Sequence, residues 1–455
     1  MMPSKAIFLD PSHQVHPRDV LSIQSPSHWA TLCPELIYEI LNDCLSGATL
    51  STDAPGSFPW YLGHICQSWR SVFVSSPRFW DHFSFQFRRQ TETSLLQRAQ
   101  ALVELCIERT KDRPFSFKFI QVTMYANIVQ LSPILDTLVA HADRWHAACL
   151  RANGDALEKS LTKAKGRFGR LHSLQIDHWG YTTRGRRTPP PSDVFQDAPN
   201  LTRVWADNHY QLPWSTLAVL HADASYRFLE NLDKMMCLEE LVISGFDFRH
   251  NVANTSPIEL PSLRMLSVDH FPPGLHIKTP VLERLYLGGA LHAGSPTAIT
   301  LLLGVCNLKT LSSFYVTNVH NAQVIECTPQ LDHLILSCYD IISLEAFQSL
   351  LPSLTTHSTA YSLTRISIGV GYPPDPADPD PDPDPSLSLL HLLSTIIKSW
   401  GKHQFPKLRF VSVHVTDDHS EGIASAIADL MRVGADKGFK IEVDYSPLST
   451  WVPFW

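Results

Sequence analysis

Asp380, Asp382 and Asp384 stand at alternate positions, the spacing at which the first carboxylates of a calcium loop converge on one ion. Pro385 follows where such a loop needs glycine for its sharp turn, so calcium binding is not expected. The 22 histidines are dispersed, and close pairs such as His141 and His146 lack the spacing of a metal site. Nine cysteines include no Cys-x-x-Cys pair and no regular spacing, which argues against both a zinc module and a disulfide framework. The chain also lacks Gly-x-x-x-x-Gly-Lys-[Ser/Thr], Gly-x-Gly-x-x-Gly, Gly-x-Ser-x-Gly and His-Glu-x-x-His. No catalytic, cofactor-binding or metal-ligating residue is therefore assigned, no cofactor is expected, and the reading is not an enzyme.

With 455 residues, 44% of them apolar and 18% charged, the chain can bury a substantial core. Its length suits about three domains, or one small domain plus an extended one. A net charge of −7 gives no general attraction to nucleic acid or to an anionic membrane. The unpatterned cysteines suit a reducing compartment. The segment MMPSKAIFLDPSHQ lacks the apolar stretch of a secretory signal, and the run AITLLLGVC (298–306) is far short of the ~20 residues of a membrane span. The triplets at Asn200 and Asn254 are read as chance matches to a glycosylation acceptor. A cytoplasmic or nuclear protein is expected.

The stretch with the densest apolar pattern is 28–81, after a flexible segment 1–27. Pro34 suits the first helical turn, where its missing N–H costs nothing, and Glu35 suits the positive helix end. Leu36, Ile37, Ile40, Leu41 and Cys44 then recur at helical spacing on one face. A Gly/Ser/Pro-rich loop (46–59) leads to a second helix whose stripe is Leu62, Ile65, Cys66, Trp69, Val72 and Phe73. Ser75-Ser76-Pro77 ends it, and Phe79 and Trp80 follow. About 50 residues cannot bury so many large apolar groups alone, so some are meant for a partner.

The order Leu32-x-Pro34-Glu35-Leu36…Ile40-Leu41, then Leu62…Cys66-x-x-Trp69-Arg70…Pro77-x-Phe79-Trp80, resembles an F-box, most of all those of fungal F-box proteins with a long loop between the first two helices. Cys33 departs from the pattern, which more often has Pro there. The resemblance implies docking on the Skp adaptor, and through it on a cullin, of a ubiquitin ligase. Carried over by position, Leu32, Pro34, Glu35, Leu36, Ile40, Leu41, Leu62, Cys66, Trp69, Arg70 and Trp80 form or support that surface, with Arg70 orienting the second helix or pairing at the rim. The sequence does not separate interface from core within this set. Trp69 and Trp80 suit either.

Beyond residue 170 an apolar-x-x-apolar-x-apolar pattern returns seven times, from Leu171, Leu238, Leu263, Leu282, Leu331, Leu363 and Leu408, and its first half, apolar-x-x-apolar, twice more, from Leu201 and Leu308. The alternation suits a strand with one buried face, and the first residue suits the turn before it. Most spacings fall near those of leucine-rich repeats, although the consensus Asn is missing. Such units bury their apolar faces only by stacking, leaving a concave strand face exposed. Residues 82–170 read as degenerate early units that cap the stack. One has a helix with Leu95, Leu102, Leu105 and Cys106 on its apolar face, and a strand after Pro114. The other has Leu135, Leu138 and Val139 on a helix, then Trp145 and a short strand. This helix–Arg-Trp–strand order is also common in the fungal F-box proteins. The fold class expected is α/β: a small all-α F-box domain (28–81), then an irregular leucine-rich-repeat-like solenoid (171–455).

RGRRTPPPSD (184–193), with Lys163, Lys165, Arg167 and Arg170, forms the one basic zone. It suits an acidic partner, nuclear import or a solvated loop. PPDPADPDPDPDP (373–385) is expected to be extended and solvated. A helix with Leu389, Leu392, Leu393 and Ile396, another strand copy, and a helix with Ile423, Ile427 and Leu430 close the array. The expected function is substrate recognition for a Skp–cullin–F-box ligase, the repeat domain holding an unidentified substrate protein. A repeat scaffold whose hairpin packs internally without recruiting a ligase is the alternative, ahead of an enzyme with an unrecognised site.

Overall fold

In all nine repeats the first apolar residue lies two positions ahead of a strand, and the second lies within it. The structure is a computed structural model describing residues 32–45, 49–51, 60–87, 93–122, 128–179, 192–206, 209–223, 230–244, 257–268, 277–287, 308–313, 328, 330–338, 362–370, 385–400, 405–415 and 421–444. The Asp/Pro run up to Asp384, the segment 1–27, the Pro-rich part of the basic zone, the run 298–306 and Asn254 lie outside the described residues.

The chain begins with α1 (Pro34–Leu45), β1 (Leu50–Ser51), a 3-10 turn (Trp60–His64), α2 (Gln67–Ser75) and a second 3-10 turn (Pro77–Trp80). Next come β2 (His82–Phe87), α3 (Thr93–Thr110), β3 (Phe115–Gln121), α4 (Ile128–Ala140), β4 (Trp145–Asn153), α5 (Gly154–Leu161) and β5 (Ser173–Trp179). The repeats then supply β6 (Arg203–Ala206), β7 (Val219–Asp223), β8 (Glu240–Ser244), β9 (Ile258–Glu259), β10 (Met265–Val268), β11 (Ile277–Lys278), β12 (Arg284–Leu287) and β13 (Thr310–Ser313). They end with β14 (His333–Cys338), β15 (Arg365–Val370), α6 (Pro385–Ser399), β16 (Phe410–Val415), α7 (Glu421–Lys437) and β17 (Lys440–Asp444).

Among the described residues fifteen strands form one open parallel sheet in chain order, and only β9 and β11 step out to form a separate pair. One in-register row crosses the whole sheet. It runs from Leu50 on β1 through Phe83, Phe117, Ala148 and Leu174, then Leu220, Leu241 and Leu285, to Ile366, Val411 and Ile441. These side chains are buried and belong to one hydrophobic cluster running from α1 to β17. Because side chains alternate along a strand, a one-residue slip would turn the row to the opposite face, so burial fixes the register. The arrangement is a solenoid-like mixed α/β fold.

At the start of the strands a second ladder runs parallel to the first. Backbone N–H groups of Glu239, Arg264, Glu283, Lys309, Asp332 and Thr364 each donate to the carbonyl of the residue one layer back, at 2.8–2.9 Å. From Glu239 to Asp332 the side chains at these positions alternate in sign. Arg264 and Lys309 lie 3.6 and 3.1 Å from Glu283, and Thr364 Oγ1 donates to Asp332 Oδ1 at 2.6 Å. Exposed pairs of this kind contribute only ~0–1 kcal/mol each. They favour one layer-to-layer register at the start of the strands.

Several expectations need correction. Residues 50–51 of the predicted first loop form β1, which pairs with β2. The second helix starts at Gln67, with Leu62 in the preceding 3-10 turn and Cys66 at the N-cap. On α3, Leu95 points outward and Leu96, Ala99, Val103, Cys106 and Ile107 form the buried face, because the tertiary partner selects the adjacent ridge. On α6 the buried residues include Leu390, Leu393, Ile396 and Ile397; the side chains of Leu389 and Leu392 are outside the described set. The array does not close on a helix, since β17 follows α7 and pairs with β16. Residues 82–153 supply strands to the same sheet as the repeats.

Gly434 on α7 lies where β17 packs closest. A Cβ there would fall 2.5 Å from Ile441 Cγ1 and 3.2 Å from the Phe439 carbonyl oxygen. Gly438, with φ +87, terminates the helix, its N–H donating to the Gly434 carbonyl at 3.0 Å. Gly434→Ala is expected to cost roughly 1–3 kcal/mol by overpacking, despite its better helix propensity. Chemical denaturation measures this directly. An unchanged midpoint would mean that Ile441 swings aside at no cost.

Candidate functional site

The helical segment sorts its own motif into inner and outer side chains. On α1 the apolar stripe splits into two ridges one residue apart. Ile37 and Leu41 are fully buried, whereas Leu36 is 53% exposed and Cys44 is also exposed; Ile40 lies between. Trp69 and Phe73 on α2 are buried, together with Leu62, Phe79 and Trp80. Their rings interlock: Tyr38 and Phe79 have centroids 5.3 Å apart, as do Phe73 and Trp80. Arg70 Nε donates to the Gly63 carbonyl at 2.8 Å and an Arg70 terminal nitrogen donates to His64 Nδ1 at 3.1 Å, which ties α2 to the 3-10 turn before it.

Of the motif residues, Leu41, Leu62, Trp69 and Trp80 are therefore interior. Leu32, Ile40 and Cys66 are partly buried against the core, and Pro34, Glu35, Leu36 and Arg70 face outward. Tyr61 (49% exposed) and Ile65 (47%) join Leu36 as large apolar side chains left in solvent, with Val74 nearby in sequence. Tyr61 carries no sequence signal, because its side of the 3-10 turn is set only when Leu62 packs inward.

Trp80 does more than end the motif. Phe73 is four residues ahead of Pro77, which has no N–H, so its carbonyl has no helical donor. The Trp80 indole N–H supplies one at 3.0 Å, and the Arg109 guanidinium of α3 lies 4.3 Å above the ring. Trp80-x-x-Phe83-x-Phe85 also repeats the anchor–strand pattern of the later layers, with all three buried. Trp145 follows α4 in the same way. It is fully buried, donates to the Leu138 carbonyl at 3.0 Å, and leads into β4 with Ala148 and Leu150 inside.

The sheet face opposite the buried rows carries two grooves. The first, of 430 Å³, is lined by His82, Lys118, His146, His172, Arg203 and Trp205, among others. His146 and His172 stack nearly parallel with centroids 5.7 Å apart. Burial pushes the His146 pKa down, aided by His172 and His82 and opposed by Asp81. The second groove, of 450 Å³, lies between Arg284, Tyr286, His333, Arg365, His414 and Glu442. Arg365 pairs with Glu442 at 2.9 Å, and His333 Nε2 and Ser367 Oγ are hydrogen-bonded at 2.8 Å. Burial, then Arg365, pushes the His333 pKa down to about 4, against Asp332.

The described cations of the basic zone are engaged within the chain. Lys163 pairs with Asp136 at 2.8 Å, Lys165 with Asp193, and Arg167 with Asp143 at 2.8 Å, while Arg170 donates to the Asp112 carbonyl at 3.2 Å. Cys33, Cys44, Cys66, Cys106, Cys149 and Cys237 are free thiols, and burial pushes the Cys106 thiol up to about 12. Among the described residues no group of three His, Cys, Asp or Glu side chains is placed to hold a metal, and no helix is long and apolar enough to cross a membrane.

No protein-family model matches the chain, and no curated protein matches it. Among solved structures it is similar to the complex of Rad7 and Elc1 in yeast, at 13% identity and a TM-score of 0.33, over 94% of this chain and 96% of the other. That likeness is too distant to carry fold or function across.

Proposed function

We propose that this chain is the substrate-recognition subunit of a Skp–cullin–F-box ubiquitin ligase, with the 28–81 segment docking on the Skp adaptor and the sheet face holding a substrate protein. What supports the reading is the set of large apolar side chains that the helical segment leaves exposed. Leu36, Tyr61 and Ile65 stay in water while the buried members of the same motif hold the segment together. Exposed apolar groups on a packed helical scaffold suit docking into a complementary groove. The chain would contribute proximity between substrate and ligase, leaving covalent chemistry to other subunits.

The test is co-purification of the full chain with the Skp adaptor, for the wild type and for Leu36→Ala with Ile65→Ala. Both positions are exposed, so the fold should be kept, which circular dichroism checks. Each truncation is expected to weaken binding about tenfold, and the pair on the order of a hundredfold. A folded wild type that binds no adaptor would sink the proposal.

A second reading has its own observation. Trp80 anchors both the helical turn and the first sheet layer, so the helical segment also serves as the end cap of the stack. A scaffold needing that cap alone would recruit no ligase. It would leave adaptor binding absent in both chains of the same experiment.

A further inference from the structure

The groove at the β2–β6 end of the sheet carries cationic charge without a lining carboxylate. Lys118 on β3 and Arg203 on β6 are exposed and form no ion pair among the described residues. His82, His146 and His172 add imidazoles along the same rim. The acids around the groove already hold partners, Asp81 on the rim itself, and Glu240 also feels the Arg203 charge. Asp81 holds His82 at 2.7 Å and faces Arg113 at 3.6 Å, Asp177 pairs with Arg151 at 3.0 Å, and Glu240 accepts from His221 at 3.0 Å. Trp205, half-buried and tilted against His221 with ring centroids 4.5 Å apart, gives the groove an apolar wall. The second groove differs, since Glu442 and Asp444 line it beside Arg284 and Arg365.

We propose that the first groove binds an extended peptide carrying clustered anionic side chains, with Lys118 and Arg203 pairing its charges and Trp205 packing against an apolar neighbour. Charge complementarity argues for an anion. Size argues for a peptide, because 430 Å³ holds a few side chains. Two fixed cations on a chain of net charge −7 neutralise too few phosphates for a nucleic acid. The assignment gives the proposed receptor a ligand class and rests on that reading only for the ligand's fate. Binding is measured without an adaptor, so either can fail alone.

Fluorescence anisotropy with the full chain and a labelled Glu/Leu dodecapeptide tests it, beside a Gln/Leu counterpart, a phosphoserine/Leu counterpart and a single-stranded RNA. The Glu peptide should bind more tightly than the Gln peptide and weaken as salt rises from 50 to 300 mM, a range of ~10 Å screening. Lys118→Glu with Arg203→Glu should weaken it about tenfold, whereas Arg284→Glu in the second groove should leave it unchanged. All three side chains are on the sheet face and outside the core, and thermal melts check that the fold is kept. Tighter binding of the phosphoserine peptide would support the site and name phosphate as the source of charge. Equal binding of Glu and Gln peptides, no effect of the double reversal, or preference for RNA would each overturn it.

Discussion

Trp80→Ala lowers the stability of the whole fold by about 3–5 kcal/mol, the range for removing a buried Trp. The side chain is 2% exposed and sits where three structures meet: the α2 terminus, the first sheet layer and α3. Truncation removes packing from the Phe73 ring and from the Arg109 guanidinium, and leaves the Phe73 carbonyl without a donor, because Pro77 cannot supply one. Trp80→Phe separates these contributions. It keeps most of the volume and should cost only the unpaired carbonyl, about 1–3 kcal/mol. Trp145→Ala should match Trp80→Ala, since it repeats the indole-to-carbonyl bond seven residues back. Urea unfolding followed by circular dichroism measures all three. A Trp80→Ala loss under about 1 kcal/mol would show that the anchor is dispensable.

Acid should weaken the chain through His333. Its folded pKa, about 4, lies below the 6.5 of a free imidazole, so between those values the unfolded chain binds more protons than the folded one. Above about pH 6.5 both forms are neutral there and the residue has no effect. Stability then falls as pH drops toward about 4, and the loss is complete below that. The difference corresponds to at most about 3 kcal/mol, reduced by whatever solvent reaches the groove. His333→Gln keeps a hydrogen-bonding group beside Ser367 and removes the titration. Comparing urea midpoints at pH 7 and 4.5, the wild type should lose clearly more stability than the variant. Identical losses would place the acid sensitivity elsewhere.

The repeats were legible because burial repeats the same demand at each layer: an apolar anchor two residues before the strand and apolar residues inside. β7 follows the same rule with Leu217, Leu220 and Ala222 buried, the small Ala filling its last place as Ala206 does on β6. HFSFQF, the β2 strand, was hidden by its position directly behind the helical motif. α5 begins at Gly154, and its start is signalled only by Asn153, whose Oδ1 accepts from the Ala156 N–H at 3.3 Å. The helical segment was legible as paired apolar stripes, but not the split between Leu36 and Ile37. One residue is 100° of helix, and which of two neighbouring ridges turns inward depends on the aromatic cluster of Phe73, Phe79 and Trp80. The grooves were less legible still. Lys118, His146 and Arg203 are far apart in sequence and meet only because the ladder brings successive strands side by side.

Strand order has a consequence for how the chain comes into being. Each strand of the large sheet pairs with the strand just made, apart from the detour of β9 and β11. A chain emerging from the ribosome can therefore lay down each layer on a finished one without waiting for distant sequence. The helical segment and Trp80 emerge before β2, and β1 within that segment offers its template. Growth then proceeds in one direction, and a stalled or truncated chain would still carry a folded front end.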